Sequence, residues 1–193
     1  MTTIVAITGS IRAESLNRRL LAAATDRLER AGADVDRVEP EAMDFPLYNA
    51  DLQAAKGIPV AVHDLHTRIT GAAGVVLATP EYNGAFSPLL KNTIDWITRI
   101  DMTTFQPRLI GLLGASPGRK GAVHGMGMVE EMFVYMRCIV HQPHFSLPEA
   151  GDAFDGERLV DTGVAEALEG WTAGYLAAAV EHAEAWAARA AAG

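Results

Sequence analysis

The chain is expected to fold as an α/β protein built on a doubly wound, five-stranded parallel sheet between two helical layers. Two observations predict this. Short apolar, β-branched runs alternate with segments of helical period, and the runs are apolar at consecutive positions, as strands covered on both faces must be. Ile4 to Thr8 reads as the first strand. Leu16 to Arg30 reads as a helix, with Leu16, Leu20, Leu21, Ala24 and Leu28 at three- and four-residue spacing and Gly32 ending it. Asp34 to Val38 is a short second strand. Glu39 to Gly57 contains Pro40, Pro46, Asn49 and Gly57 and reads as a long surface loop, the kind that carries function in a compact domain. Pro59 to Thr70 is the second helix, with Pro59 in its first turn and Val62, Leu65, His66 and Ile69 on one face. Gly74 to Thr79 is the third strand.

Ser87-Pro88 supplies an N-cap and a first-turn proline for a helix through Leu89, Leu90, Ile94 and Ile97. Leu109 to Leu113 is the fourth strand, followed by the Gly-rich turn Gly114 to Gly121 and a helix from Met126 to Met136. Cys138-Ile139-Val140 is the fifth strand, and an Ala-rich helix from Gly163 to Ala192 closes the chain. Five strands joined by helical crossovers give a flavodoxin-like or Rossmann order.

A chain of 193 residues, 49% of them hydrophobic, is long enough for one core, and one domain over residues 1–193 is expected. The net charge of −8 argues against non-specific binding to nucleic acid or anionic membrane, so an anionic ligand needs a local site. Met1-Thr2-Thr3 runs directly into the first strand, without the pattern of a secretory leader, and no apolar run reaches the roughly 18 residues of a membrane span. Cys138 is the single cysteine; no internal disulfide is possible, and a reducing cytoplasm is the expected compartment.

Three loops at strand carboxyl ends carry the chemistry, because ligands of open α/β sheets collect there. Gly9 to Asn17 places two hydroxyls, a guanidinium and an amide at a helix amino terminus, where free N–H groups and the positive dipole end favour an anion. It lacks the glycines and lysine of a Walker loop and the G-x-G-x-x-G fingerprint, which suits a monophosphate better than a pyrophosphate. Thr79-Pro80-Glu81-Tyr82-Asn83-Gly84 follows the third strand with an aromatic, an amide and a glycine able to frame a planar ligand. The turn after the fourth strand is a second candidate ligand loop.

With these residues in place, the chain resembles the NADPH-dependent FMN reductases, a flavodoxin-like family that includes quinone, azo-dye and chromate reductases. Its G-S-x-R-x-x-S-x-N pattern is present as Gly9, Ser10, Arg12, Ser15 and Asn17, and its P-E-Y-N-x(6)-L-K-N-x-I-D-W pattern as Pro80 to Trp96. Weaker matches include Pro46-Leu47-Tyr48-Asn49 and Ser116-Pro117-Gly118-Arg119, and the resemblance spans roughly residues 3 to 185. It implies that Ser10, Arg12, Ser15 and Asn17 hold the FMN phosphate. It also implies that Pro80, Glu81, Tyr82, Asn83 and Gly84 line the isoalloxazine and ribityl portion, and that Ser116, Pro117 and Gly118 close the other side. Many relatives have Gly-Gly after the third loop; Gly121-Ala122 departs from this, and the alanine methyl is expected to narrow the approach of the backbone or the nicotinamide.

The resemblance further implies that NADPH or NADH reduces FMN, and that a quinone, azo compound, metal oxyanion or second flavin then takes the electrons. The flavin carries that chemistry, so no side-chain acid–base triad is assigned. Backbone N–H groups near Asn83 and Gly118 are placed to stabilise negative charge on the reduced ring. A homodimer or homotetramer is implied, with Trp96, Met128 and Phe133 contributing apolar contacts. Rival readings within the fold are a flavodoxin-type electron carrier, whose T/S-x-T-G-x-T loop this chain lacks, and a non-catalytic redox sensor.

Several residues admit a structural reading beside a functional one. Glu81 serves either the cofactor or an ion pair. Lys91, Asn92, Asp95 and Trp96 read as packing or interface residues. Met126, Met128, Met132 and Met136 read as an apolar helix face. Cys138, His141 and His144 lack a fourth metal ligand, and His63 and His66 read as surface or half-buried groups. His124 stands near the third loop, and Arg119 and Lys120 either attract the donor's phosphate or are solvated. Replacing Arg12 with alanine is expected to weaken FMN retention far more than it alters the fold; unchanged flavin affinity in a fluorescence titration would remove Arg12 from the phosphate site.

Overall fold

The computed structural model describes residues 1–192. In chain order the elements are β1 (Thr3–Thr8), α1 (Leu16–Arg30), β2 (Asp34–Val38), α2 (Ala50–Lys56), α3 (Val60–Thr70), β3 (Gly74–Ala78), β4 (Glu81–Tyr82), β5 (Ala85–Phe86) and α4 (Pro88–Ile97). There follow β6 (Leu109–Ala115), α5 (Val123–Tyr135), β7 (Ile139–Val140), β8 (Phe145–Leu147), β9 (Phe154–Asp155), β10 (Arg158–Leu159) and α6 (Thr162–Ala192). The main sheet runs β2-β1-β3-β6-β7, all parallel, with β8 also paired to β6. This is the flavodoxin-like order, in which the crossovers place helices on both faces.

The strand residues alternate between two apolar cores. Val5, Ile7, Val75, Leu77, Ile110 and Leu112 face α3, α4 and α5, whereas Ile4, Ala6, Val76, Ala78, Leu109 and Leu113 face α1 and α6. Burial on both faces explains why the strands read as unbroken apolar runs. On the α6 side, Trp171 and Tyr175 stack at 5.4 Å and lie over the sheet where Gly74 and Gly111 leave room. A Cβ on Gly111 would stand 2.8 Å from Tyr175. The Tyr175 hydroxyl donates to Leu109 O at 3.0 Å, and burial raises its pKa. Arg108 performs a similar anchoring task at the entrance to β6. Its guanidinium donates to the carbonyls of Ile69 and Ala72 at 2.9 and 3.2 Å and to that of Thr70, satisfying the carboxyl end of α3.

Several boundaries differ from the sequence expectation. The fifth strand is two pieces, β7 and β8, because residues 141–144 leave the ladder between them. The loop after β2 contains a 3-10 turn over Pro40–Met43 and the helix α2, whose N-cap Asn49 accepts from the N–H groups of Asp51 and Leu52. Pro59 caps α3 from outside its first turn, and α5 starts at Val123, three residues before Met126. Trp96 and Phe133 are fully buried in the chain's own core, so neither can reach a neighbouring subunit; Met128 is exposed. Phe133 instead meets Phe105 edge to face at 5.2 Å.

The interrupted strand carries two histidines. His141 packs against the Trp171 and Tyr175 rings at 5.7 and 5.6 Å, and His144 lies 3.3 Å from the Glu130 carboxylate on α5. Burial lowers both imidazole pKa values; the neighbouring His144 adds to this at His141, and Glu130 opposes it at His144. In the unfolded chain both return to about 6.5. As pH falls through that value the unfolded state takes up protons that the fold resists, so the stability contributed by the neutral rings is complete above it and lost below. The melting temperature is therefore expected to fall between pH 7.5 and 5, with a shallower slope in His141→Gln; parallel slopes for the two proteins would exclude His141 as a contributor.

Candidate functional site

All parallel strands point their carboxyl ends to one edge, where the loops after β1, β3 and β6 meet around a cavity of about 260 Å³. The first loop leaves β1 at Gly9, whose N–H donates to Ala78 O at 2.7 Å and holds the chain close against the second loop. A Cβ on Gly9 would lie 2.9 Å from Ser87 Oγ and 3.3 Å from Pro80, so a side chain here would drive the two loops apart. Ser10 Oγ then accepts the Arg12 N–H at 3.3 Å, and Ser15 Oγ, as N-cap of α1, accepts the Arg18 N–H at 3.3 Å. Both serines are buried, and among the described residues neither hydroxyl donates to a protein acceptor. Each hydroxyl therefore retains an uncommitted donor beside the cavity. Arg12 is exposed at the rim, and its guanidinium makes no ion pair or hydrogen bond among the described residues.

Asn17 is spent differently. Its carboxamide donates to Ala115 O at 2.9 Å and accepts Ala115 N–H at 2.8 Å, joining the first turn of α1 to the end of β6. One amide N–H remains for a ligand.

In the second loop, Glu81–Tyr82 and Ala85–Phe86 pair as a two-residue hairpin. Asn83 and Gly84 form its turn with φ of 54° and 79°, the Asn-Gly chemistry of a type I′ turn. Both residues sit at the exposed tip, outside the cavity lining, while Pro80, Glu81 and Tyr82 line it. The Glu81 carboxylate accepts the Gly125 N–H at 3.0 Å, tying the hairpin to α5.

The third loop is braced from below. Ser116 donates its backbone N–H to Leu147 O at 3.1 Å and its hydroxyl to Gly118 O at 2.9 Å, and accepts the Gly121 N–H at 3.0 Å. Ser116 and Pro117 line the cavity; Gly118 does not. The Ala122 methyl, expected to narrow the approach, is buried beneath the loop: a Cβ on Gly114 would stand 2.9 Å from it. Lys120 Nζ lies 3.5 Å from His124 Nε2, both exposed at the start of α5.

Nine of the twelve expected site residues thus line one cavity, and Glu14, Leu16 and Ala115 join them. Leu16 follows from its place as the first residue of α1, whose N–H faces outward. Ala115 was hidden because Gly114 reads as a turn, although β6 runs through it. Behind the site, Asn92 and Trp96 secure the long loop. Trp96 Nε1–H and Asn92 Nδ2–H donate to Pro46 O at 2.7 and 3.1 Å, and Asn92 Oδ1 accepts the Tyr48 N–H at 2.7 Å. The Tyr48 ring meets Trp96 edge-on at 5.2 Å under the Arg99 guanidinium. Lys91 and Asp95 pair on the outer face of the same helix.

A family model described as NADPH-dependent FMN reductase matches residues 2–152. The chain belongs to this family. Its members use NAD(P)H, with FMN as flavin cofactor or substrate, and this FMN reductase relative is an oxidoreductase. It is 32% identical over 168 residues to an NAD(P)H-dependent FMN reductase of Pseudomonas aeruginosa, covering 86% of this chain and 89% of that protein. It is 30% identical over 171 residues to a quinone reductase of Escherichia coli, with coverage of 86% and 89%. Among solved structures, the flavoenzyme NAD(P)H:(acceptor) oxidoreductase FerB of Paracoccus denitrificans superposes with a TM-score of 0.82 at 25% identity, covering 94% of this chain and 99% of that one. Among the described residues no helix is long and apolar enough to cross a membrane.

Glu14 is the one carboxylate in the cavity besides Glu81, and it lies beside the unpaired Arg12 at the amino end of α1. Its charge opposes an anion there, although exposure and salt screen it. Glu14→Gln is expected to tighten phosphomonoester binding by about two- to fivefold at low salt, equivalent to roughly 0.3–1 kcal/mol. An isothermal titration giving equal affinities at low ionic strength would place the anion elsewhere.

Proposed function

We propose that the chain is an FMN-loaded NAD(P)H reductase, working as one domain, that passes electrons from NADPH or NADH to a quinone. The donor set of the first loop carries this reading: two buried hydroxyls and a guanidinium that donate to no other group among the described residues, and the open N–H groups of α1, converge on one cavity. Those are the donors a phosphomonoester needs. Ser10, Arg12 and Ser15 would hold the FMN phosphate, with the free N–H of Asn17 beside them. Pro80, Glu81 and Tyr82 would border the ribityl chain and ring, and Ser116 and Pro117 would close the opposite wall. Asn83, Gly84 and Gly118 act through the loop backbone, setting its shape and aiming N–H groups at the ring.

FMN, when bound, supplies two-electron redox chemistry between a nicotinamide donor and an acceptor. The protein orients it and supplies preorganised dipoles. Quinone is favoured as acceptor because the Escherichia coli relative is named a quinone reductase and aligns over 86% of this chain. Azo compounds, metal oxyanions and free flavin follow as further acceptors of the same open site. Arg119 and Lys120, adjacent in the third loop, give a chain of net charge −8 a local attraction for the anionic donor.

A homodimer or homotetramer fits the outer face of α5, where Met128 is 44% and Tyr135 84% exposed, with Val134 between them. A cytoplasmic setting fits the lone thiol: Cys138 is buried, and burial pushes its pKa up to about 12, so it stays a thiol. Anaerobic stopped-flow of the FMN-reconstituted protein against NADPH and NADH is expected to show saturable bleaching of the oxidised-flavin band, followed by reoxidation on adding quinone. Tight FMN binding with no bleaching by either nucleotide would instead make the protein an electron carrier or a sensor.

A further inference from the structure

Helix α5 begins without a cap of its own. Its N-cap, Ala122, offers no side-chain acceptor and sits in the left-handed region at φ 62°, and no acidic residue occupies its first turn. The N–H of Gly125, three residues into the helix, is a group that an N-cap side chain normally satisfies. Here it is satisfied from another element: Glu81 Oε2, on the hairpin of the second loop, accepts it at 3.0 Å. The hairpin packs directly on this turn of α5: a Cβ on Gly125 would lie in ordinary van der Waals contact, 3.4 Å from both the Glu81 Cβ and Ala85 O. Among the described residues no cation pairs with Glu81, although Glu81 lines the same cavity as Arg12 and Glu14.

We propose that Glu81 is a positioning residue that locks the second loop to α5 and, through its charge, keeps the bound flavin a strong reductant. This rests on FMN occupying the cavity. Two physical effects follow from one carboxylate. As a borrowed N-cap it fixes the hairpin that forms one wall of the site. As a fixed negative charge it answers the positive end of the α5 dipole and places a carboxylate in a residue that lines the cavity. Two-electron reduction of a flavin adds negative charge to its ring, so a carboxylate in the wall opposes reduction and lowers the potential.

Two substitutions separate these effects. Glu81→Gln keeps an oxygen able to accept the Gly125 N–H but carries no charge; Glu81→Ala removes both. The first readout is hydrogen exchange at the Gly125 amide in the FMN-free protein. Exchange is expected to be about tenfold faster or more in Glu81→Ala, the scale of a lost charge-assisted hydrogen bond, and mostly restored in Glu81→Gln. Unchanged protection in Glu81→Ala would overturn the tie. The second readout is the midpoint potential of bound FMN by anaerobic dye equilibration, expected to move to more positive values in both variants. An unchanged potential in both would overturn the electrostatic role. If the unsubstituted protein fails to quench FMN fluorescence, the flavin assignment falls and the potential-setting role falls with it, while the exchange measurement still decides whether Glu81 caps α5.

Discussion

The geometry of the site depends on the paired hydrogen bonds between the Asn17 carboxamide and the backbone of Ala115. These two residues lie at the start of α1 and the end of β6, and among the described residues no other side-chain hydrogen bond joins the first loop to the end of β6. Both groups are buried, so loss of Asn17 would leave the Ala115 N–H and C=O without partners in a place water reaches poorly. The first and third loops keep their spacing because this bond cannot be exchanged cheaply for solvent. A cavity of about 260 Å³ open between them follows from that spacing.

Around this clasp each loop is secured by a different means. The first loop uses its own serines, whose hydroxyl oxygens accept backbone N–H groups and so fix its turn. The second is a tight hairpin with an Asn-Gly turn, attached through Glu81 to a helix distant in sequence. The third is held from beneath by Ser116 and by the interrupted fifth strand, where the Leu147 carbonyl receives the Ser116 N–H. Polar side chains at the loops therefore do two tasks in this protein: they satisfy the backbone and they set the distances between loops. The helix after the second loop adds a further layer, because Asn92 and Trp96 fasten the long segment following β2 without touching the cavity. A family motif that reads as one ligand-binding run is thus divided between the cavity wall and a loop anchor.

The parallel core was legible in the sequence because burial on both faces leaves a strong mark. The runs Ile4 to Thr8, Gly74 to Ala78 and Leu109 to Leu113 can only be covered strands, and Ser87-Pro88 marks a helix start by local chemistry. The start of α1 was legible for the same local reason, since Ser15 is its N-cap, and the serines, arginine and asparagine expected there do line one cavity. Elements that depend on distant partners were not. The β8 half of the fifth strand has no periodic signal of its own and exists because β6 extends two residues past Leu113 to pair with it. Trp96 and Phe133 look like interface residues in one dimension, yet both are filled over by the chain's own core.

The sequence by itself determined the order of strands and helices, the family, and the residue types gathered at the strand ends. These are encoded in periodicity, caps and short motifs, each readable within a few residues. Tertiary structure alone decided that Asn17 is mostly a clasp, that Asn83 and Gly84 form a turn outside the cavity lining, that the Ala122 methyl lies beneath its loop, and that Glu81 caps a helix 44 positions away. Those roles depend on which backbone group ends up opposite each side chain, and that pairing forms only when the sheet brings the loops to one edge.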